Sequence, residues 1–353
     1  MSDIPKAVLY YNDASIWSFV GQVEKGYGED ELDMKIVDLV KGENFGPKFL
    51  RLNSKATVPT LVVPLDKSLS VDVESRYKAI TESKAIVEFL DKSRSPLSHT
   101  NTTSNAPAPI LTPATIDFTA TSKVIIEDLL HSDEADPNKL LYMNARDEHA
   151  LRSLSESLIP LMKGKVDALN YYLSEAQAGN IRASEKVIKF WTSKKEAAQM
   201  LLDVYGQVKT PEAELDANAK AHREEFFKVA KASWEVELVR VLVKLNELII
   251  APYALGEQYS IADPHLTAWL TTVVLLAGGD VSDNGNVIIE KLEKHIGSNL
   301  VLSKVIAVEA PRTDTERPMA RTKLGMYWDT VKERPSWKQI YGNKVHLDLY
   351  QKR

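Results

Sequence analysis

The first part of the chain carries its apolar residues in short runs between polar turns. Ala7-Val8-Leu9-Tyr10-Tyr11 is a compact apolar run suited to a buried strand, and the polar stretch Asn12 to Ser15 leads into a predicted helix over about 16–25. Leu32, Met34 and Ile36 alternate with polar neighbours, which predicts a second strand. Residues 45–52 read as a short helix or turn, 60–65 as a third strand, and 77–80 as a fourth across a long hairpin. From Ser83 onward, Ala85, Ile86, Phe89 and Leu90 recur at the spacing of one helical face.

Strand–helix–strand followed by strand–strand–helix is the order of an α/β thioredoxin-like unit. A Ser/Thr/Asn/Pro-rich stretch over 93–115, with Pro96, Pro107, Pro109 and Pro113, then predicts a linker. Everything after it reads as helix. Leu151, Leu154, Leu158 and Leu161 share one face, although Pro160 predicts a kink or break there. Val187, Phe190, Trp191 and Leu201 mark another helix. Phe227, Trp234, Val241 and Leu248 recur every seven residues with Leu238 and Leu245 between them. That seam is short for a coiled coil and predicts a long helix packed within a helical domain. The uncharged run Leu266 to Gly279 falls short of the roughly 20 residues a membrane span needs and predicts a buried helix. Ser260 and Asp263, just before it, have capping-box spacing, and Pro264 predicts an irregular start. The layout expected is therefore 1–92 thioredoxin-like, 93–115 linker, and 116–353 all-helical.

Composition narrows the chemistry. With 353 residues, 44% hydrophobic and 26% charged, the chain has material for two domains, and a net charge of −5 gives no global pull toward nucleic acid. It has no cysteine, which removes disulfides, thiolate metal ligands and a cysteine nucleophile together. Thiol chemistry here requires a thiol brought by a ligand. The seven histidines show no metal-ligand spacing, and no phosphate-binding glycine pattern appears; Gly278-Gly279 reads as a helix end. Trp17, Trp191 and Trp234 read as core or interface aromatics rather than a cofactor box. The N-terminal residues show neither a signal-peptide core nor a transit pattern, so the expected location is cytoplasmic, and the sequon Asn101-Thr102-Thr103 reads as accidental.

Two segments carry the candidate chemistry. Arg51-Leu52-Asn53-Ser54-Lys55-Ala56-Thr57-Val58-Pro59-Thr60-Leu61 is a turn running through a proline into a strand, and Ile80-Thr81-Glu82-Ser83-Lys84-Ala85-Ile86 is a polar turn opening a helix. A strand edge and a helix N-terminus together can hold an extended peptide-like ligand by its backbone and a carboxylate. Each part also has a plainer role. Pro59 suits a strand edge, Ser83 a helix cap, and Lys55 an exposed loop.

Set in order, Val58-Pro59, Glu82-Ser83, the helical Ser260-Ile261-Ala262-Asp263 and the tail Trp328 to Trp337 resemble the glutathione transferase superfamily, over residues 6–92 and about 225–340. The intervening helical segment, about 145–225, is extra. In this, and in Arg51-Leu52-Asn53-Ser54, the chain is similar to ganglioside-induced differentiation-associated proteins and to long fungal transferase-like proteins. The resemblance implies a cis bond at Val58-Pro59, with the Val58 backbone pairing to the cysteinyl unit of glutathione. It implies Ser83 at the γ-glutamyl carboxylate, Glu82 at the neighbouring ammonium and Lys55 at the glycyl carboxylate. It places Ser15 as the hydroxyl that activates the thiol, with Tyr10 and then Ser18 as alternatives; Ser15 also suits an N-cap. The implied activity is addition of the glutathione thiolate to a small hydrophobic electrophile by a cytosolic homodimer, with no metal, no nucleic-acid partner and no membrane span. Thr57 stands where the family often has Gln or Lys, Ile16 where proline is common, and Gly21-Gln22 where a basic stretch is usual. These departures support a second hypothesis, a non-catalytic glutathione-binding or interaction protein with the same fold.

Overall fold

The computed structural model describes residues 6–12, 15, 17, 32–64, 77–93, 110–297, 299–306 and 320–341. In chain order the elements are β1 (Ala7–Tyr11), β2 (Leu32–Ile36), a 3-10 turn (Glu43–Phe45), α1 (Pro47–Leu50), β3 (Thr60–Pro64), β4 (Tyr77–Ile80) and α2 (Ser83–Ser93). Next come α3 (Ile116–Lys123), α4 (Pro137–Tyr142), α5 (Glu148–Gln177), α6 (Glu185–Gly206), α7 (Ala217–Ala232), α8 (Leu238–Leu248), α9 (Ala262–Leu276) and α10 (Gly285–Ile296). The short strands β5 (Lys304–Ile306) and β6 (Ala320–Thr322) precede α11 (Lys323–Lys332) and α12 (Pro335–Tyr341). The chain divides into two compact units. One holds residues 1–107 and 145–228, the other 108–144 and 229–352.

In the first unit the sheet order is β2-β1-β3-β4, with β1 parallel to β2 and the remaining pairs antiparallel. A parallel β1–β2 pair followed by antiparallel strands is the thioredoxin-like arrangement. Alternation along β1 sends Leu9 into a core with Leu32, Leu61, Val63, Ile86 and Leu90, while Tyr10 packs with Val37, Phe49 and Val58 in a separate cluster. The buried face of α2 is Ile86, Val87 and Leu90; Ala85 and Phe89 point outward. The apolar stripe thus lies one position round from the expected one. The helix predicted over 16–25, Ser18, Gly21-Gln22, the sequon and most of the expected linker lie outside the described residues.

Helices α5 and α6 form a long antiparallel hairpin within this same unit. Asp147 and Ser184 cap them, accepting from the amides of Ala150 at 2.8 Å and Val187 at 3.4 Å. Pro160 does not break α5, which runs unbroken through it. The proline ring is on the exposed face, so solvent can take up the carbonyl it leaves unpaired. Leu158 and Met162, both fully buried, hold the helix on either side.

The second unit is built round α9, of which every residue is buried. It packs on the π-helical turn Val124–Leu130, on α4 and on α10. Its large aromatics satisfy their ring N–H groups on backbone carbonyls: Trp269 on Ala135 at 2.8 Å, Trp234 on Leu140 at 3.2 Å, Trp328 on Asp283 at 2.8 Å. The seven-residue seam is one continuous helical run broken in register by a π turn, Ser233–Glu237, which joins α7 to α8. Trp234, Leu238, Val241 and Leu245 are buried as the seam requires. Before the wide turn the buried phenylalanine is Phe226 in place of Phe227. No helix among the described residues is long and apolar enough to cross a membrane.

Candidate functional site

The predicted ligand segments meet in the first unit. Residues 53–57 form a tight loop ahead of β3, and Asn53 is its hub. The Asn53 side-chain amide donates to the Thr57 carbonyl at 2.8 Å and to the hydroxyls of Thr57 and Thr60 at 3.0 Å each. Its carbonyl oxygen accepts the Lys55 amide at 2.9 Å, a local turn asparagine readily makes. Within this loop Ala56 has φ +56°, a left-handed conformation uncommon for a residue with a Cβ. The Val58–Pro59 bond that follows is cis, and both residues are buried.

Ser15 reaches this loop from the end of β1. Its hydroxyl donates to the Val58 carbonyl at 3.3 Å, and its amide donates to the Asn12 carbonyl at 3.0 Å. The Asn12 side chain in turn donates to the Val37 carbonyl at 2.8 Å, fixing the turn against the end of β2. Tyr10 is placed differently. Its ring packs edge-on to Phe49 at 6.0 Å, with the Lys35 ammonium 5.6 Å from the ring centre. That is a packing position for the ring. Ser18 lies outside the described residues.

On the opposite side, Glu82 starts α2: its carbonyl accepts the Ile86 amide at 2.9 Å, so Ser83 occupies the first helical position. The helix N-terminus there favours a carboxylate by its dipole and by its first-turn amides. Lys55 and Glu82, expected to meet opposite ends of a ligand, are paired with each other at 2.6 Å. Their side chains are 64% and 58% exposed, so the pair contributes little to stability and can open cheaply when competing charges arrive. Thr57 offers its hydroxyl oxygen to Asn53 and so serves the loop.

Ser260 and Asp263 belong to the second unit. The Asp263 carboxylate, wholly buried, accepts from the Ser260 amide at 2.6 Å, the Ser260 hydroxyl at 2.7 Å and the Ala254 amide at 2.8 Å. One half of the predicted capping box is therefore present. In the other half Ser260 turns its hydroxyl to the carboxylate, while the Asp263 amide bonds to the Ser260 carbonyl at 3.0 Å. Burial pushes the Asp263 carboxyl up to about 6, against the opposing pull of these donors and of the Arg334 charge. Arg334 itself stacks 3.7 Å over the Tyr259 ring.

Two residues that shape this site, Asn53 and Asn44, are not among the predicted site residues. An asparagine two residues before a lysine in a turn-rich stretch is a signal for a side-chain-closed turn, so Asn53 was within reach. Asn44 gives no local signal, because its partner is twelve positions away.

Residues 29–93 match the family described as glutathione S-transferase, N-terminal domain, and through this segment the chain carries a domain of the glutathione transferase superfamily. Similar solved structures include Gtt2 from Saccharomyces cerevisiae, with 16% identity, a TM-score of 0.44, and 94% of this chain and 99% of that chain covered. Another is the β-etherase LigF from Sphingobium sp. strain SYK-6, with 15% identity, a TM-score of 0.45, and 96% and 100% covered. Glutathione transferase F2 from Populus trichocarpa has 15% identity and a TM-score of 0.40, with 96% and 98% covered. No curated protein matches the chain.

Proposed function

We propose that this chain binds glutathione in its N-terminal unit and transfers the thiolate to a hydrophobic electrophile. The observation that carries the reading is the convergence on one loop: Val58 meets Ser15 at 3.3 Å on one side, and Lys55 meets Glu82 at 2.6 Å on the other. In this proposal the Val58 backbone pairs with the cysteinyl unit as an added strand. Ser83 and the start of α2 take the γ-glutamyl carboxylate, while Glu82 takes the ammonium. Lys55 swings from Glu82 to the glycyl carboxylate, exchanging one exposed ion pair for two. Ser15 donates its hydroxyl hydrogen to the sulfur. The thiol proton passes to solvent, and the thiolate adds to the electrophilic carbon to form a carbon–sulfur bond. The bond pair displaced from that carbon moves to an acceptor atom of the electrophile, which takes up a proton from solvent. Homodimerisation and a cytoplasmic location belong to the same proposal.

Binding without catalysis is the second reading. The Ser15 hydroxyl favours it, because its partner is the Val58 carbonyl and it must turn away to reach a sulfur.

Calorimetric titration with glutathione tests the shared part. Wild type is expected to bind with a Kd below about 1 mM, equivalent to about −4 kcal/mol. Glu82→Gln is expected to weaken binding by about tenfold, the loss of one charge-assisted contact. Absence of heat with wild type at about 10 mM ligand, a concentration that would still detect binding weaker than −4 kcal/mol, would remove both readings.

A further inference from the structure

The hairpin α5–α6 is extra to the thioredoxin-like fold, yet it docks where the ligand loop needs support. Its approach is close. A Cβ on Gly164 of α5 would lie 2.1 Å from the Val40 carbonyl oxygen, and one on Gly42 would lie 2.5 Å from the Ala168 Cβ. Only glycine at both places lets α5 rest on the 40–46 segment. From α6, the fully buried Trp191 donates its ring N–H to the Phe45 carbonyl at 2.9 Å, and its ring stacks on Tyr172 at 5.5 Å.

The next residue back, Asn44, donates its side-chain amide to the Ala56 carbonyl at 2.8 Å. Ala56 is the residue held at φ +56°, and its methyl group sits in the same buried cluster as Phe45, Leu169 and Trp191. A left-handed conformation at a non-glycine residue costs about 1–2 kcal/mol and persists where its surroundings enforce it. Here the enforcing groups are Asn44 on its carbonyl and the hairpin on its side chain. Two residues on is Val58; one residue back is Lys55.

We infer that the α5–α6 hairpin sets the conformation of the ligand loop 53–59 through Trp191 and Asn44, and so tunes glutathione affinity at a distance from the ligand. The inference rests on the glutathione reading for its ligand, though not for its mechanics. Trp191 and Asn44 are positioning residues. They touch the turn and the loop, and the loop touches the ligand.

Three full-length single variants and one double mutant test it. Trp191→Phe keeps an aromatic ring against Tyr172 and removes the N–H donor; Asn44→Ala removes the bond to Ala56. Each is expected to weaken glutathione binding about three- to tenfold, the worth of one buried hydrogen bond, and their double mutant is expected to lose less than the product. Ala198→Gly lowers the helical stability of α6 without touching the loop and is expected to leave Kd unchanged. Residue-level hydrogen exchange without ligand provides the second readout. Trp191→Phe should speed exchange of the Lys55 and Ala56 amides, which donate to Asn53, and leave β1 and β3 unchanged. Wild-type-like Kd in Trp191→Phe, or equal weakening in Ala198→Gly, would overturn the inference. If wild type binds no glutathione, the functional proposal fails and exchange decides alone: faster loop exchange in Trp191→Phe upholds the hairpin's role, and unchanged exchange overturns it.

Discussion

Replacing Ser15 by alanine is expected to cut glutathione conjugation about 50-fold near pH 6.5 and hardly at all above about pH 9, because a free thiol ionises near 8.5. The asymmetry follows from what the hydroxyl does. A hydrogen bond to the thiolate can lower the thiol pKa by up to about two units, worth about 2.7 kcal/mol. At pH 6.5 that changes the thiolate fraction from about one in a hundred to about one in two. Above pH 9 most of the thiol is ionised with or without help. Measuring kcat/KM for wild type and Ser15→Ala from pH 6 to 9.5, roughly spanning both ionisations, separates activation from mere support of the Val58 loop. A loss that is constant with pH would mean that Ser15 serves the loop through its bond to the Val58 carbonyl. Full activity at every pH would exclude Ser15 and leave Tyr10, whose ring is already committed to packing on Phe49.

The larger effect on folding is expected at Asp263. Asp263→Ala strands two backbone amides and a hydroxyl in a fully buried place, and the second unit should lose about 3–5 kcal/mol in urea unfolding. Asp263→Asn keeps the shape but turns an amide NH₂ toward groups that also donate, so it should cost about 2–4 kcal/mol. The carboxyl also makes stability pH-dependent. Its folded value of about 6 lies above the ordinary carboxylate value, so between the two the folded state holds a proton that the unfolded chain has lost. This group's contribution is fully present below about pH 4 and is lost as pH rises through 6, by up to about 3 kcal/mol. The gap between wild type and Asp263→Asn should therefore widen as pH falls from 7 to about 4, across that interval. A constant gap would show that the Ser260 and Ala254 donors cancel the effect of burial.

Much of the first unit was legible because its signals are local. Alternation predicted β2, the apolar run gave β1, and Glu82-Ser83 marked the start of α2. The slip of the α2 stripe from Ala85 and Phe89 to Val87 arose because several rotations of a short amphipathic helix satisfy the same sequence, and the sheet beneath selects one. The break that Pro160 allowed for is absent for a related reason. The cost of a proline depends on whether its face of the helix meets solvent, which periodicity around a single residue does not reveal. The π turn at Ser233–Glu237 was hidden because one extra residue per turn leaves the heptad count intact on each side and shifts it only across the junction.

The candidate site divides along the same line. Sequence by itself determined which residues the proposed site draws on: the backbone at Val58-Pro59, the helix start at Ser83, the charges of Lys55 and Glu82, and Ser15 in the stretch beyond β1. Those are choices of residue type and short spacing, and local physics fixes them. Tertiary structure alone decided how they are engaged. Lys55 turned to Glu82, the Ser15 hydroxyl to the Val58 carbonyl, and Asn44, behind Trp191, to the carbonyl of Ala56. These contacts join residues from 12 to 146 positions apart, and only packing brings such pairs within 3.3 Å. For the same reason the extra helices could be seen in the sequence as helices, while their place against the ligand loop could be seen only once the chain had folded.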